Sequence, residues 1–561
     1  MSVVMAYTKK PEGGEMEKKS SIAERYFEKP TRLKTWSGIP VKETYTPDDI
    51  RDLDYARDIG NPGEYPYTRG IFKDMYRGRM WSIREISGYD SPKATNEKLK
   101  RLMGEGESAL NVICDAPTYC AVDADHPRAE GMVGLMGVPL GSMRDAEVMM
   151  EDIPIDQVSM TLSVYTPAIV WFYFGAAEKQ GVALSNVRGT ILADTIDQGP
   201  VRYFAPAFPE DLGCRVVADI LIWCNKNAPR FYPLSVGSNA WRESGATAAQ
   251  EIAFDFCTAR RYLKEVVARG GNVDEIAQRI AFTHRVGIDI FEEAAKFRAA
   301  RRVWARMLRE EFGARNPRAL SFKVHAVTKG TDYTRQQPEN NIVRVAYQAL
   351  AAVLGGVQSM HTMSYDEPIC LPTEESHRIA IRTQQILAYE TGVVNVADPL
   401  GGSYYVESLT NRLAEEISQI MEEHKETIVE EIYSERLMHS MQRQAYEFQQ
   451  EVESGTRKVI GVNCFQISKE EERKTELHKP SWDVIDKYVE DVKELKRTRN
   501  NHQVKESVEN LRKVAERKEE NLVPAAMDAA RSYASLGEIW GAIRLGYGYS
   551  YDPFEEIEYP F

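Results

Sequence analysis

This chain is short of several things at once, and each shortage removes a class of function. Cysteine is sparse: seven in 561 residues (Cys114, Cys120, Cys214, Cys224, Cys257, Cys370, Cys464), with no CxxC and no ligand cluster. That pattern argues against a disulfide framework or a thiolate metal site, and for reduced thiols in a cytoplasmic protein. Positive charge is in deficit, 71 Lys+Arg against 84 Asp+Glu for a net −13, so nucleic acid is not an expected partner. Long apolar runs are missing. The most apolar stretch, Ala168 to Ala177, is too short to span a bilayer and reads as a buried helix. The N-terminus MSVVMAYTKKPEGGEMEKKSS lacks the apolar core of a signal peptide. No GxGxxG follows an apolar run and no GxxxxGK[ST] occurs, so the sequence gives nucleotide binding no support.

What is present suffices for a sizeable core. Hydrophobic residues make up 43% of the chain and charged residues 28%, which suits one large domain with extensions. Met1 to Ser20 is polar and reads as mobile, Ser21 to Pro30 as a short helix, and the Pro/Gly-punctuated Thr35 to Pro62 as an extended arm. From Tyr65 to Glu407 short apolar runs alternate with helical patterns. The runs include Leu110–Cys114, Val158–Val164, Thr190–Ala193, Leu234–Val236, Ile280–Phe282 and Ser321–Val327; Thr247–Ala268 and Phe291–Phe312 have helical spacing. Such alternation predicts βα units and a parallel sheet, either a (β/α)8 barrel or a doubly wound sheet. Leu409 to Lys458 is helical by its apolar spacing, Lys469 to Glu520 reads as a charged, solvated helical face, and Leu522 to Phe561 regains apolar character.

One stretch carries candidate chemistry. Between Tyr65 and Tyr89 lie Arg69, Arg77, Arg79 and Arg84, interleaved with Tyr67, Phe72, Tyr76 and Trp81. Guanidinium forks match phosphate oxygens and stack on rings, so this composition suits a phosphate-bearing ligand with a flat ring; it equally describes a solvated loop with a few core aromatics. Ser159, Thr161 and Ser163 are hydroxyl residues at period-two spacing, and Thr190 adds a fourth. They suit a polar lining, or simply strand propensity.

The order of motifs decides between these readings. YPYTRGIFKDMYRGRMWSIREISGY, CDAPT, GTILAD, EEAAKFRAARRVWA, FGARNP, SMHTMSYDE and DPLGGSYYVE follow one another between about Ser37 and Glu407. Together they resemble the signatures of the methylmalonyl-CoA mutase family, in the form of its large, substrate-binding subunit. The resemblance implies an α/β fold: an acyl-CoA-binding (β/α)8 TIM barrel over 63–407, preceded by an N-terminal arm over 1–62 and followed by a mainly helical extension over 408–561. It implies an adenosylcobalamin-dependent isomerase that moves a group between neighbouring carbons of an acyl-CoA by a radical 1,2-shift.

The family's cobalamin domain carries Asp-x-His-x-x-Gly, whose histidine ligates cobalt. None of the nine histidines here has an aspartate two residues before it. The expectation is that no metal ligand comes from this chain, and that a separate small cobalamin-binding subunit completes a heterotetramer.

Register with the family assigns individual residues. Arg202 falls where the substrate carboxylate is bound, and His325 on the THSQ histidine. Ile86, Ile113, Leu192, Asn239 and Ala240 replace pocket residues that are mostly more polar or bulkier. Met75, Arg79, Ser159, Thr161, Thr190 and Arg279 match CoA-binding positions; Gly88, Glu243, Gly330 and Glu367 match cofactor-facing ones. The resemblance therefore implies a roomy, apolar pocket beside a carboxylate site. A substituted malonyl-CoA/succinyl-CoA pair with a bulky apolar or aromatic substituent fits it. A 2-hydroxyisobutyryl-, isobutyryl- or methylmalonyl-CoA mutase remains the alternative, as does a degenerate chain serving as a partner scaffold.

Overall fold

Two parallel sheets hold the structure together. The computed structural model describes residues 34–196, 207–237, 240–468, 470–471 and 479–561. The strands are β1 (Ser82–Ile83), β2 (Ile86–Ser87), β3 (Leu110–Ile113), β4 (Ser159–Ser163), β5 (Arg188–Ile191), β6 (Phe231–Tyr232), β7 (Leu234–Val236), β8 (Ile280–Val286), β9 (Val324–Thr328) and β10 (Ser359–His361). One sheet runs β1-β10-β9-β8-β7 and the other β2-β3-β4-β5-β6, with every pairing parallel. The fold is thus mixed α/β with parallel sheets, as the alternation of runs predicts. The end strands of the two sheets follow each other closely in sequence: Arg84 and Glu85 separate β1 from β2, and Pro233 alone separates β6 from β7.

Strand parity gives each sheet two unlike faces. Leu110, Val112, Met160, Leu162 and Ile191 are wholly buried on one face of the second sheet. Ile86, Asn111, Thr161, Thr190 and Tyr232 form a single paired row on the other. The first sheet repeats the pattern. Phe282, His284, Val324, Ala326 and Met360 are buried on one face, whereas Ser82, Ser359, His325 and Thr283 form a row on the opposite one. Covering helices include Pro92–Gly104, Ile169–Lys179, Ala248–Ala268, Ile290–Glu311, Asn340–Leu354 and Glu374–Tyr389. Ile169 through Ala177 are all buried, matching the expected internal helix. Thr247 caps the helix Ala248–Ala268 by a reciprocal pair with Gln250, at 3.2 and 2.9 Å.

The arginine-rich motif acts as a fastener. On the helix Ile290–Glu311, Arg298 pairs with Asp398 and with Glu407 (2.6 Å). Arg301 donates to the carbonyls of Tyr67, Thr68 and Gly355, and Arg69 reaches Asp398 at 2.9 Å. The YPYTRG and DPLGG motifs are therefore tied to one helix by buried, charge-assisted bonds. Helices Trp482–Thr498 and Asn501–Glu516 present charge outward, as expected of this stretch, yet each buries an apolar stripe: Ile485, Tyr488 and Val492, then Val504, Val508 and Leu511. Arg215, on the helix Glu210–Asn227, anchors this C-terminal region by donating to the carbonyls of Val514, Ala515, Arg517 and Glu520.

Residues 1–43 and 44–561 form separate units. In the first, Lys34 and Pro40 make an antiparallel bridge; the expected mobile Met1–Ser20 and the helix Ser21–Pro30 lie outside the described residues. In the second, the segment expected to be an extended arm contains helical turns at Pro47–Ile50 and Tyr55–Ile59. The reason is local capping: Asp49 accepts from Thr46 N at 2.8 Å, and Asp54 from Arg57 N at 2.7 Å.

Candidate active site

Because the strands of each sheet are parallel, within a sheet their N-terminal ends share one edge and their C-terminal ends the other. Arg79 lies just before β1, Ser159 opens β4, and Arg279 and Lys323 immediately precede β8 and β9. Arg84 is buried between β1 and β2. Its guanidinium donates to the Thr161 hydroxyl and, at 3.0 Å, to the Ser159 hydroxyl. Burial lowers its pKa to about 10, and neighbouring Arg79 adds to the effect. Arg79 itself is exposed and makes no ion pair among the described residues. Arg279 sits over the Tyr232 ring at 5.2 Å. Lys323 donates to the carbonyls of Arg318 and Ser321, and burial, with Arg279 and Arg318 nearby, pushes its pKa down to about 7. This edge is an under-neutralised cationic rim above a row of hydroxyls. Ser163, the third hydroxyl, donates to Asn111 at 2.7 Å.

Met75 departs from the rest of this set. Its side chain is buried, with its sulfur filling the space a Cβ on Gly70 would need, and its methyl close to Gly356. The structure gives it a packing role under the YPYTRG loop.

Towards the C-terminal ends of β3 and β5 this face turns apolar. Ile86 and Ile113 lie on the same face as Asn111, both partly accessible, and Leu192 follows β5 in the same phase and is buried. Behind them Gly88, at φ +133, has its Cα so near the Ile113 carbonyl that a Cβ would come within 2.5 Å of the oxygen. Ala240 opens the helical turn Ala240–Glu243. Arg202 and Asn239 lie outside the described residues.

His325 occupies the first sheet's open face. Its Nδ1 meets the Ser359 hydroxyl at 2.9 Å, and its buried Nε2 has no partner. Burial, then the charges of Arg84, His361 and Arg285, hold it well below the usual histidine range, so the ring is neutral.

The C-terminal edge is acidic. Glu243 accepts from the backbone amides of Gly330 and Thr331, both at 3.0 Å, and pairs with Arg285 at 3.0 Å. Burial works to raise its pKa, but Arg285 and Lys329 outweigh it and hold the carboxyl below its ordinary value. Gly330 leaves room for the Met363 sulfur, which a Cβ would meet at 2.9 Å. Glu367 reaches solvent, yet enough protein surrounds it that desolvation, with Asp366 and Glu243, holds its carboxyl above its ordinary value despite His361 and Arg285. An accessible but crowded side chain is one that lines a concavity.

Four residues were not assigned from the sequence. Arg84 carries the hydroxyl row; its place among the interleaved arginines was the available signal. Arg285 stands at the centre of the acidic edge. Glu85, buried where the sheets part, accepts from Thr362 Oγ1 (2.6 Å) and Gln384 (2.8 Å), and meets His361 Nδ1 at 2.5 Å. His361 stood in SMHTMSYDE with nothing local to mark it.

The seven cysteines are free, and no group of three or more His, Cys, Asp or Glu could hold a metal among the described residues. No described helix is long and apolar enough to cross a membrane.

Comparisons with known proteins identify the family. A sequence model of the family described as Methylmalonyl-CoA mutase matches residues 34–549. The chain is 36% identical over 533 residues to a 2-hydroxyisobutanoyl-CoA mutase large subunit from Aquincola tertiaricarbonis, covering 92% of this chain and 93% of that protein. It is 37% identical over 518 residues to a methylmalonyl-CoA mutase from Rhizobium meliloti, covering 92% and 72%. It is 36% identical over 505 residues to a methylmalonyl-CoA mutase large subunit from Porphyromonas gingivalis, covering 89% and 70%. With the ordered motifs, the parallel sheets and this span of likeness in agreement, the chain belongs to the methylmalonyl-CoA mutase family, whose members are isomerases.

Proposed function

We propose that this chain is the large, acyl-CoA-binding subunit of an adenosylcobalamin-dependent mutase. The observation that carries the reading is strand parity. Ile86, Ile113, Ser159, Thr161, Thr190 and His325 fall on the open strand faces, with Arg79 and Arg279 before the strands and Glu243, Gly330 and Glu367 after them. The same reading makes the two sheets halves of one (β/α)8 barrel, joined through β1–β2 and β6–β7. Its support is the two-residue and one-residue gaps between those strands.

The residues at the C-terminal edge fit the cofactor. An accessible Glu367 carboxylate suits a ligand rich in hydroxyl and amide donors, and nearer the start of β9 the unpartnered His325 Nε2 leaves a polar atom for whatever lies against it. When bound, adenosylcobalamin supplies the radical chemistry of the 1,2-shift, and a small subunit, as implied by relatives named large subunits, supplies the cobalt ligand.

This chain's share is binding, orientation and exclusion of water. Arg79, Arg279 and Lys323 hold the CoA phosphates at the cationic edge. Arg84 fixes the Ser159 and Thr161 hydroxyls along the pantetheine path. Ser359 donates to His325 Nδ1, which leaves Nε2–H to donate to the thioester carbonyl. Glu367 accepts the ribose hydroxyls of the adenosyl group. Ile86, Ile113 and Leu192 shape an apolar wall, and Arg202, by its register, binds a carboxylate. The acyl group is therefore a carboxyacyl chain with a bulky apolar or aromatic substituent.

The test is a panel of acyl-CoA esters with the small subunit and cofactor present, and products read by mass spectrometry. Benzyl- or long-alkyl-malonyl-CoA should turn over faster than methylmalonyl-CoA or 2-hydroxyisobutyryl-CoA. A preference for 2-hydroxyisobutyryl-CoA would overturn the substrate assignment, and no turnover with any ester would overturn the enzymatic reading.

A further inference from the structure

A ring of alternating charge closes behind the acidic edge. Arg285 ends on the open face of β8 and pairs with Glu243 at 3.0 Å. Glu243 belongs to the helical turn Ala240–Glu243, whose preceding residue, Arg242, points the other way and pairs with Glu293 at 2.6 Å. Glu293 pairs with Lys296 at 2.5 Å, one turn further along the same helix. Lys296 returns to the start, donating to the Arg285 carbonyl at 2.5 Å and to Glu251 at 2.9 Å. Glu251 completes the grip by accepting from Arg285 N at 2.8 Å. The Arg285 peptide is thus held on both sides by wholly buried side chains, and its guanidinium lies beside one carboxylate, with Nε 3.0 Å from a Glu243 oxygen but not aligned for a hydrogen bond.

That carboxylate already serves two amides. Glu243 gathers Gly330 N and Thr331 N, the second and third residues after β9, and Arg285 also donates to the Thr328 carbonyl at 3.3 Å. Asp332 closes the loop by accepting from Ile288 N at 3.0 Å and from Lys329 at 2.7 Å. A carboxylate that accepts two amides and no cation is poorly compensated in a desolvated place; one with a guanidinium beside it has its charge balanced and stays ionised to hold both amides.

We propose that Arg285 is a positioning residue, acting through Glu243, that fixes the Gly330–Thr331 loop and the turn carrying Ala240 in one mutual register. The inference rests on the proposed function only for its consequence, that this loop lies against the cofactor. The ring itself is a property of the chain.

The experiment therefore has two arms. In the first, amide hydrogen exchange is followed at Gly330 and Thr331 in the chain alone. Arg285→Gln should accelerate both by about tenfold or more, Arg285→Lys should restore most of the protection, and Glu243→Gln, a near-isosteric change that keeps the test alive if Arg285→Gln does not fold, should match Arg285→Gln. The double variant should add little to either single one, since both break one unit. In the second arm, with the small subunit present, Arg285→Gln should weaken adenosylcobalamin binding about tenfold while acyl-CoA affinity stays within about twofold. Unchanged exchange in Arg285→Gln and Glu243→Gln overturns the positioning role, as does a lysine variant that rescues nothing. Wild-type protein that binds no adenosylcobalamin overturns the proposed function and leaves the first arm standing.

Discussion

The two edges of the parallel strands solve opposite electrostatic problems. At the N-terminal edge cations are left short of partners: Arg79 is exposed and without an ion pair among the described residues, Arg84 spends its guanidinium on neutral hydroxyls, and Lys323 donates only to carbonyls. Towards the C-terminal edge most acids are met, the accessible Glu367 apart. Glu243 has Arg285, Glu293 has Arg242 and Lys296, and Glu85 is surrounded by donors. An edge with unspent positive charge is prepared for an anionic ligand that comes and goes. An edge whose charges are mutually satisfied is prepared to hold a shape.

The comparison breaks most sharply at Lys296. Lys296→Met leaves Glu251 and Glu293 facing each other across a dry space, both side chains wholly buried. Breaking such a pair costs about 3–5 kcal/mol, to be read as a shift in the urea midpoint. A loss under 1 kcal/mol would mean that the C-terminal edge is not held by its charges.

Arg84 tests the other edge at smaller scale. Arg84→Met removes two charge-assisted contacts to hydroxyls, worth about 1.5–3 kcal/mol each. Acyl-CoA affinity should fall by about 10–100-fold with cofactor affinity unchanged. Equal losses in both would show that the two edges are not independent.

The smallest effect is the most diagnostic. Lys323 titrates near 7 in the folded protein against about 10.4 unfolded, so between those values the unfolded chain carries the extra proton and stability rises with pH. A phosphate beside it would return that proton. Binding of CoA at pH 8 should therefore take up protons, seen as a calorimetric heat that depends on the buffer, and affinity should weaken by up to about tenfold per pH unit as Lys323 becomes neutral. A heat independent of buffer, in wild type and Lys323→Met alike, would remove Lys323 from the anion site.

Sequence reading caught what is local. The helices Ala248–Ala268 and Ile290–Glu311 are written in their caps and periodicity, and β3, β4 and β7 in apolar runs a residue or so from their observed bounds. It missed β1, β2, β6 and β10, which have two or three residues each. Arg84 and Glu85 interrupt the first pair with charge, and those charges find their partners far along the chain, in Ser159, Thr161 and Thr362. No window of neighbouring residues contains that information. The arginines of EEAAKFRAARRVWA were legible as a signature but not as a fastener, because Asp398 and Glu407 lie about 100 residues away. The ring through Arg285 was invisible for the same reason.

Gly88 has a consequence for redesign. Its backbone packs so tightly on the Ile113 carbonyl that the wall behind Ile86 and Ile113 cannot retreat. The wall is a fixed mould with a replaceable lining. Whatever acyl groups descendants of this chain come to accept, they will be reached by exchanging side chains at 86, 113 and 192, one or two at a time, rather than by moving the scaffold that carries them.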